Sequence, residues 1–343
     1  DIYEEDFVEE KHYWCPDSPN LYRVRAVLLK DGDKADTVYS YFGMREIEVR
    51  NGFILLNNQP LYQRLVLHQG YFEGGHYTAT DAELKADVEL IKSYGFNGVR
   101  LHQKIENPRF YYWADVLGLL VWGEMPSAYS FYSGSPMQAV QEMSEFILRD
   151  YNCPSIVTWV PFNESWGVRN VRYDARQISF VKGVCDIIKA IDPTRLVSGN
   201  DGWEIVGGDL MCVHNYYRGC ESFTKDLTDQ DKYEHGSVNN NRVTLCDGEV
   251  SGGRPKLLTE YGGIAFAGGD GWGYAGAAKS KDEYLARFLD LHKRIYAMTE
   301  LCGFCYTQLT DVYQETNGLT DMKRKPKMPI ETIKRCILGE FTE

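Results

Sequence analysis

Eight short apolar runs, separated for the most part by stretches of helical periodicity, constrain the fold of this chain more than any other feature. They read as strands near Tyr62 to Leu67, Gly98 to Leu101, Leu119 to Trp122, Ile156 to Phe162, Leu196 to Ser198, Leu210 to Val213, Lys256 to Thr259 and Gly303 to Gln308. Strands that are apolar throughout, without alternation, are buried on both faces, as parallel strands under a layer of helices are. Between them, Leu84, Val88 and Ile91 line one face of a helix predicted over 81–94, with Thr80 as N-cap and Glu83 three residues on in a capping box. Further helical patterns run over Met137 to Asp150, Val171 to Ile191 and Lys281 to Met298. The alternation predicts an α/β protein with a (β/α)8 barrel; periodicity alone also admits an open doubly wound sheet.

The opening segment reads differently. Leu21 to Leu29 and Thr37 to Phe42 are strand-like, with the turn Lys30-Asp31-Gly32-Asp33 between them. This is the pattern of the end of a β-sandwich, too short to bury its own core. Its partner strands are therefore expected upstream in a longer parent protein, or replaced by packing on the following domain. A second hairpin, Ile47 to Ile54, turns at Asn51-Gly52, the pair that best tolerates the positive φ angles of a tight turn, and is expected to cap the barrel's bottom. The expected division is a sandwich tail over residues 1–46 and a barrel over 47–343.

A chain of 343 residues accommodates a barrel of about 250 residues and a smaller module. Its net charge of −12, with no cluster of Lys and Arg, excludes nucleic acid and an anionic membrane as partners, since both demand a basic surface. An uncharged ligand fits better. The 24 Tyr and 7 Trp include rings suited to stacking on sugars, although most of them are core. No run of about 18 apolar residues is present to span a membrane. The first residue is Asp1, with no charged leader before an apolar segment, so cytoplasmic, periplasmic and secreted locations all stay open. Cys302 and Cys305 form the only CxxC pair among nine cysteines, without the second pair of a zinc site, and the cysteines read as free core residues. No metal and no cofactor are implied.

Two of the predicted strands end in glutamate. Glu164 closes Ile156 to Asn163, and Glu260 closes Lys256 to Thr259. Barrel enzymes place their chemistry at the C-terminal ends of strands. A pair of carboxylates there matches what cleavage of a glycosidic bond requires: one protonated, to serve the departing oxygen, and one ionised, to attack or to activate water. Surroundings must then push the two acidities apart, with Glu164 protonated and Glu260 ionised near neutral pH.

These residues lie in segments that resemble the catalytic barrel of glycoside hydrolase family 2, whose members include β-galactosidases, β-glucuronidases and β-mannosidases. The resemblance is carried by Phe42-Gly43-Met44-Arg45, by Asn97 to His102, by Leu117 to Glu124, and most specifically by Asn163-Glu164 and Thr259-Glu260-Tyr261-Gly262-Gly263. It implies a barrel preceded by an immunoglobulin-like β-sandwich, of which residues 1–46 are the tail. It also implies hydrolysis of O-glycosidic bonds at a non-reducing end with retention, through a glycosyl-enzyme. Glu164 matches the family's acid/base and Glu260 its nucleophile. Among substrate-binding candidates, Asn163 is expected on the sugar 2-hydroxyl, and Arg100 and His102 near Glu260. Tyr216 is expected to touch the nucleophile, and Asp201 and His68 to meet sugar hydroxyls. Glu124 matches a segment that lines the site without carrying the proton.

One departure stands at the eighth strand, where Thr307 occupies the position the family usually fills with Trp, the platform under the sugar. Tyr306, Trp122 or Trp166 are candidates to supply the ring instead. The same departure supports an alternative, a non-catalytic carbohydrate-binding barrel. A third reading, a metal hydrolase using His68, His102 and His214, lacks any paired metal-binding spacing. The expected partners are a carbohydrate substrate and upstream β-domains of the parent chain, with an oligomer possible. The segment from Glu221 to Gly252, including Asn239-Asn240-Asn241, is expected as a mobile rim.

Overall fold

The computed structural model describes residues 12–216, 220–236, 242–267, 269 and 271–341. Eight strands form one sheet: β1 (Gln63–His68), β2 (Gly98–Leu101), β3 (Leu120–Glu124), β4 (Ile156–Val160), β5 (Leu196–Val197), β6 (Met211–Asn215), β7 (Lys256–Gly262) and β8 (Leu301–Thr307). Their order is β5-β4-β3-β2-β1-β8-β7-β6, and every pairing is parallel. The last strand thus lies beside the first, Gly303 opposite Gln63 and Tyr306 opposite Val66. That adjacency is incompatible with a doubly wound sheet. β5 and β6 meet through Asp209, whose N–H donates to Val197 O at 2.7 Å while its carboxylate accepts from Val197 N–H at 2.8 Å.

Side-chain alternation explains the closure. Leu65 and Leu67, Leu120 and Trp122, Leu196, Cys212 and Leu257 come from strands all around the order yet belong to one interior cluster. A flat sheet would keep Leu196 and Cys212 at opposite edges; rolled up, it fills a barrel interior. Residues of the other parity, such as Val66, Val99 and Val121, join the larger layer under the helices.

That outer layer is carried by α1 (Asp81–Ser93), α2 (Pro108–Leu117), α3 (Ser135–Asp150), α4 (Ala175–Ile191), α5 (Cys220–Thr228), α6 (Gln230–His235), α7 (Lys281–Ala297) and α8 (Ile330–Leu338). The capping box of α1 forms as expected, Glu83 N–H donating to Thr80 Oγ1 at 3.3 Å and Thr80 N–H to the Glu83 carboxylate at 2.8 Å. Helix α4 starts later than Val171 because the Asp174 side chain caps it by accepting from Arg176 N–H. The segment from 221 to 252, expected as a loop forming a mobile rim, contains α6 and most of α5; Asn239, Asn240 and Asn241 lie outside the described residues. Among the described residues, no helix is long and apolar enough to cross a membrane.

Before the barrel, Tyr22–Lys30 and Asp33–Phe42 form an antiparallel hairpin that leaves Leu28, Leu29, Val38 and Tyr39 exposed. A second hairpin, Ile47–Arg50 with Phe53–Leu56, turns at Asn51 (φ 54°) and Gly52 (φ 79°). Its Ile47, Ile54 and Leu56 pack into the interior cluster together with Trp14, closing the end of the barrel opposite the strand C-termini.

Two expected sugar contacts are corrected here. Trp122 points inward but sits deep in the barrel, fully buried, its Nε1 donating to Gln63 Oε1 at 2.7 Å. His68 has the parity of the outer face: it packs on Phe72 and Phe110 and lies 3.1 Å from Asp87 of α1, away from the barrel mouth. Trp122→Ala is expected to cost about 3–5 kcal/mol of stability in urea denaturation, the price of an interior cavity, and a loss under about 1 kcal/mol would contradict its place in the core.

Candidate active site

Several strand C-termini converge on one buried guanidinium. Arg100 of β2 is fully buried; its Nε donates to Glu124 of β3 at 2.7 Å, Nη1 to Glu260 of β7 at 2.9 Å, and Nη2 to Asn163 Oδ1 after β4 at 2.6 Å. Nη1 also lies 3.3 Å from Asp201, which follows β5. A planar fork with donors on several edges can serve such a set of acceptors, which the point charge of a lysine cannot. His102, two residues along the same strand end, lies 3.3 Å from Glu124 and 3.8 Å from Glu260.

Glu260 is the centre of the cluster. Burial pushes its acidity toward the protonated form, but His214, Arg100 and His102 together outweigh that effect, and the Tyr216 hydroxyl donates to its second oxygen. The carboxyl is held below the ordinary range, so it stands ionised. The Tyr216 oxygen also lies 3.1 Å from Thr307 Oγ1, whose hydroxyl can donate to it, and the ring stacks on Tyr274, with ring centroids 4.2 Å apart.

Glu164 approaches from the other side. Its carboxylate accepts from His214 Nδ1 at 2.8 Å, and His214 Nε2 reaches Asp201 at 2.7 Å. Burial disfavours the charged imidazole, yet Glu260, Asp201 and Glu164 around it push its pKa up to about 10. Glu164 and Ser165 both adopt left-handed backbone, φ 51° and 59°, a conformation that costs non-glycine residues of order 1–3 kcal/mol each. The loop after β5 holds the turn in place: Glu164 N–H donates to Asp201 O at 2.9 Å and Ser165 N–H to Asn200 Oδ1 at 3.0 Å.

The two glutamates open into one cavity of about 320 Å³, lined also by His102, Asn163, Trp166 and Tyr274. One oxygen of Glu164 and one of Glu260 lie within 4.8 Å of each other, with a His214 nitrogen equally near. Those three atoms would also surround a cation. Arg100 and the charged His214 already place positive charge against these carboxylates, which disfavours a metal there.

Of the residues singled out from the sequence, Glu164, Glu260, Asn163, Arg100, His102 and Tyr216 come together at the barrel mouth. Asp201 does not reach the cavity as expected for a contact to sugar hydroxyls; it is fully buried beneath His214, accepting from Ser198 Oγ at 2.7 Å. Tyr306 is buried against Tyr261 and Tyr284 and offers no platform. Trp166 does line the cavity. Tyr274 was missed, and its signal was the run Gly271-Trp272-Gly273-Tyr274, aromatic rings between glycines in the loop after β7. The polar group Gln69, Gln308 and Glu315, which holds the Tyr274 hydroxyl through Glu315 at 3.0 Å, was missed as well.

His214 binds its proton more tightly in the folded chain than at its ordinary value of 6.5. Its stabilising contribution is therefore complete below about pH 6.5 and vanishes as pH rises through about 10. Urea denaturation across that range should show wild-type stability falling more steeply than that of His214→Gln, by up to about 1.4 kcal/mol per pH unit; parallel curves would exclude a charged His214.

Comparison with known proteins agrees with this architecture. The family model "Glycosyl hydrolases family 2, TIM barrel domain" matches residues 47–337, and the model "Glycosyl hydrolases family 2" matches residues 3–45. A β-glucuronidase of Streptococcus agalactiae is 25% identical over 373 aligned positions, covering 96% of this chain and 59% of the relative. A β-galactosidase of Photobacterium profundum is 35% identical over 171, covering 46% of this chain and 16% of the relative. The chain thus spans only part of the length of these relatives. In structure, a GH2 β-galacturonidase from Eisenbergiella tayi bound to galacturonate superposes with a TM-score of 0.77 at 21% identity, over 95% of this chain and 60% of that one. The β-glucuronidase of Parabacteroides merdae superposes with a TM-score of 0.75 at 19% identity, over 96% and 43%. The barrel match extends over most of the sequence, and the chain belongs to glycosyl hydrolase family 2.

Proposed function

We propose that this barrel is the catalytic domain of a retaining β-glycosidase acting at the non-reducing end of a glycan or glycoside. The observation that carries the reading is the spacing of Glu164 and Glu260, whose nearest ligand oxygens lie within 4.8 Å across one cavity. Retaining enzymes hold their carboxyl groups about 5–5.5 Å apart, whereas inverting ones leave room for a water between them at about 6.5–9.5 Å.

In this reading the ionised Glu260 attacks the anomeric carbon while the bond to the leaving oxygen breaks, and Glu164 gives that oxygen its proton. A water then attacks the same carbon, Glu164 takes the water's proton, and the bond to Glu260 breaks, restoring both carboxyls. Arg100, His214 and Tyr216 hold Glu260 ionised for the first step. Arg100 occupies Asn163 Oδ1, which leaves the amide nitrogen as the donor for the sugar 2-hydroxyl. Tyr274, fixed against Tyr216, supplies a ring in the cleft where Thr307 has none, which weakens the case for a barrel that only binds sugar. The names of the relatives favour a galactoside or a hexuronide. We further propose that the exposed strands of the 22–42 hairpin pack against additional β-structure of the parent protein, as the greater length of those relatives suggests.

Glu260→Gln should abolish turnover of aryl β-glycosides while sugar binding, measured by calorimetry, persists. Glu164→Gln should keep activity on leaving groups that need no proton and lose about 10²–10⁴-fold on those that do. Proton NMR of the first product should show the β-anomer. Unchanged turnover by Glu260→Gln, or initial release of the α-anomer, would refute the assignment.

A further inference from the structure

A second cavity, of about 330 Å³, opens beside the catalytic one and shares Ser127, Ala128, Tyr129 and Trp166 with it. Its character is different. Met125, Met143, Phe162, Phe180 and Val184 form an apolar lining between the start of α3 and the middle of α4. The polar groups at its α3 edge satisfy one another: Ser135 Oγ donates to Tyr132 O at 2.8 Å, and Gln138 bonds both the Tyr132 hydroxyl and Glu142.

The wall common to the two cavities is built from stacked side chains. Trp166 stands between the Arg169 guanidinium, 4.3 Å from its ring, and Tyr129, whose ring centroid is 5.6 Å away. The loops after β3 and β4 touch at Gly167, where φ is 76° and a Cβ would meet Ala128 O at 2.9 Å, so only glycine permits the seam. Ser127 Oγ, at that seam, is buried without a hydrogen-bond partner.

The direction of the chemistry selects the occupant. Asn163 and Glu164 face the catalytic cavity, while Phe162 before them and Gly167 after them face the second, and Trp166 faces both. A proton donor must lie against the leaving oxygen, so the group attached to that oxygen extends on Glu164's side, where the apolar cavity opens. The side behind Glu260 is closed by the stacked Tyr216 and Tyr274. An apolar lining strips water from hydroxyls without replacing their hydrogen bonds, which penalises a sugar and favours a flat ring system.

We propose that this cavity is the leaving-group subsite for an apolar, aromatic aglycone, which makes aryl glycosides, rather than oligosaccharides, the substrate class. The inference rests on the glycosidase reading above. Ala139 of α3 lines the second cavity and not the first, so Ala139→Trp fills it without touching the catalytic groups, and Ala139→Leu fills it partly.

The test compares a 2-naphthyl glycoside with the fluoride of the same sugar, whose leaving group needs no subsite, and follows binding of free 2-naphthol by quenching of tryptophan fluorescence. Ala139→Trp should lower kcat/KM on the naphthyl glycoside by about tenfold or more, Ala139→Leu by less, with fluoride hydrolysis unchanged. It should also remove 2-naphthol binding that the wild type shows. Equal effects on both substrates, no effect on either, or unaltered naphthol binding would overturn the subsite. If neither substrate is cleaved by any form, the glycosidase reading fails, and naphthol binding alone decides the cavity: binding lost in a folded Ala139→Trp supports it, and no binding by the wild type overturns it.

Discussion

The guanidinium of Arg100 is the interaction on which this site depends. Three carboxylates and an amide from four different strands or the loops after them are gathered within 3.3 Å of one buried cation. Burying Glu124, Asp201 and Glu260 without it would leave like charges in a poorly solvated interior, where each would take up a proton or force the strand ends apart. With His214 and His102, the guanidinium keeps Glu260 ionised while burial works the other way. Stability and function draw on one contact set here, and the strand ends of the barrel are tied together at the point where the chemistry is proposed.

The opposite end of the barrel follows ordinary packing. Trp14, Ile47, Ile54 and Leu56 close it with apolar side chains, and the interior above them is filled by Leu65, Leu120 and Trp122. The mouth carries polar and strained features of its own: the left-handed Glu164 and Ser165, the charged His214 between two carboxylates, and the orphan hydroxyl of Ser127. Strain at these strand ends is tolerated because the packed barrel beneath over-determines it.

Local physics made the strands legible. A buried parallel strand needs a mainly apolar run, and each of the eight had one, with Arg64 and Arg100 as interruptions; α1 displayed its capping box and α7 its periodic face. Helix α2 escaped notice because its signals, the Asn107 cap and Gly118 terminator, flank only ten residues of mixed character. The glutamates could be placed because strand ends are short-range features. His68, Trp122 and Asp201 were misjudged for one reason: the type of residue and its nearness to a strand end do not say which face it is on or how deep it lies. His68 turned outward toward Asp87, Trp122 lay too low, and Asp201 was roofed by His214.

Sequence alone determined the strand and helix alternation, the tight turn at Asn51-Gly52 and the position of two glutamates at strand ends, because each depends on residues adjacent in the chain. Only the tertiary structure decided that β8 lies against β1, that Tyr274 and Trp166 rather than Trp122 line the cleft, and that an apolar cavity adjoins the one lined by Glu164. Those outcomes depend on which side chains meet after the sheet has rolled closed. Contacts between residues far apart in the chain leave no periodicity to read, since their partners are selected by the curvature and depth of the barrel.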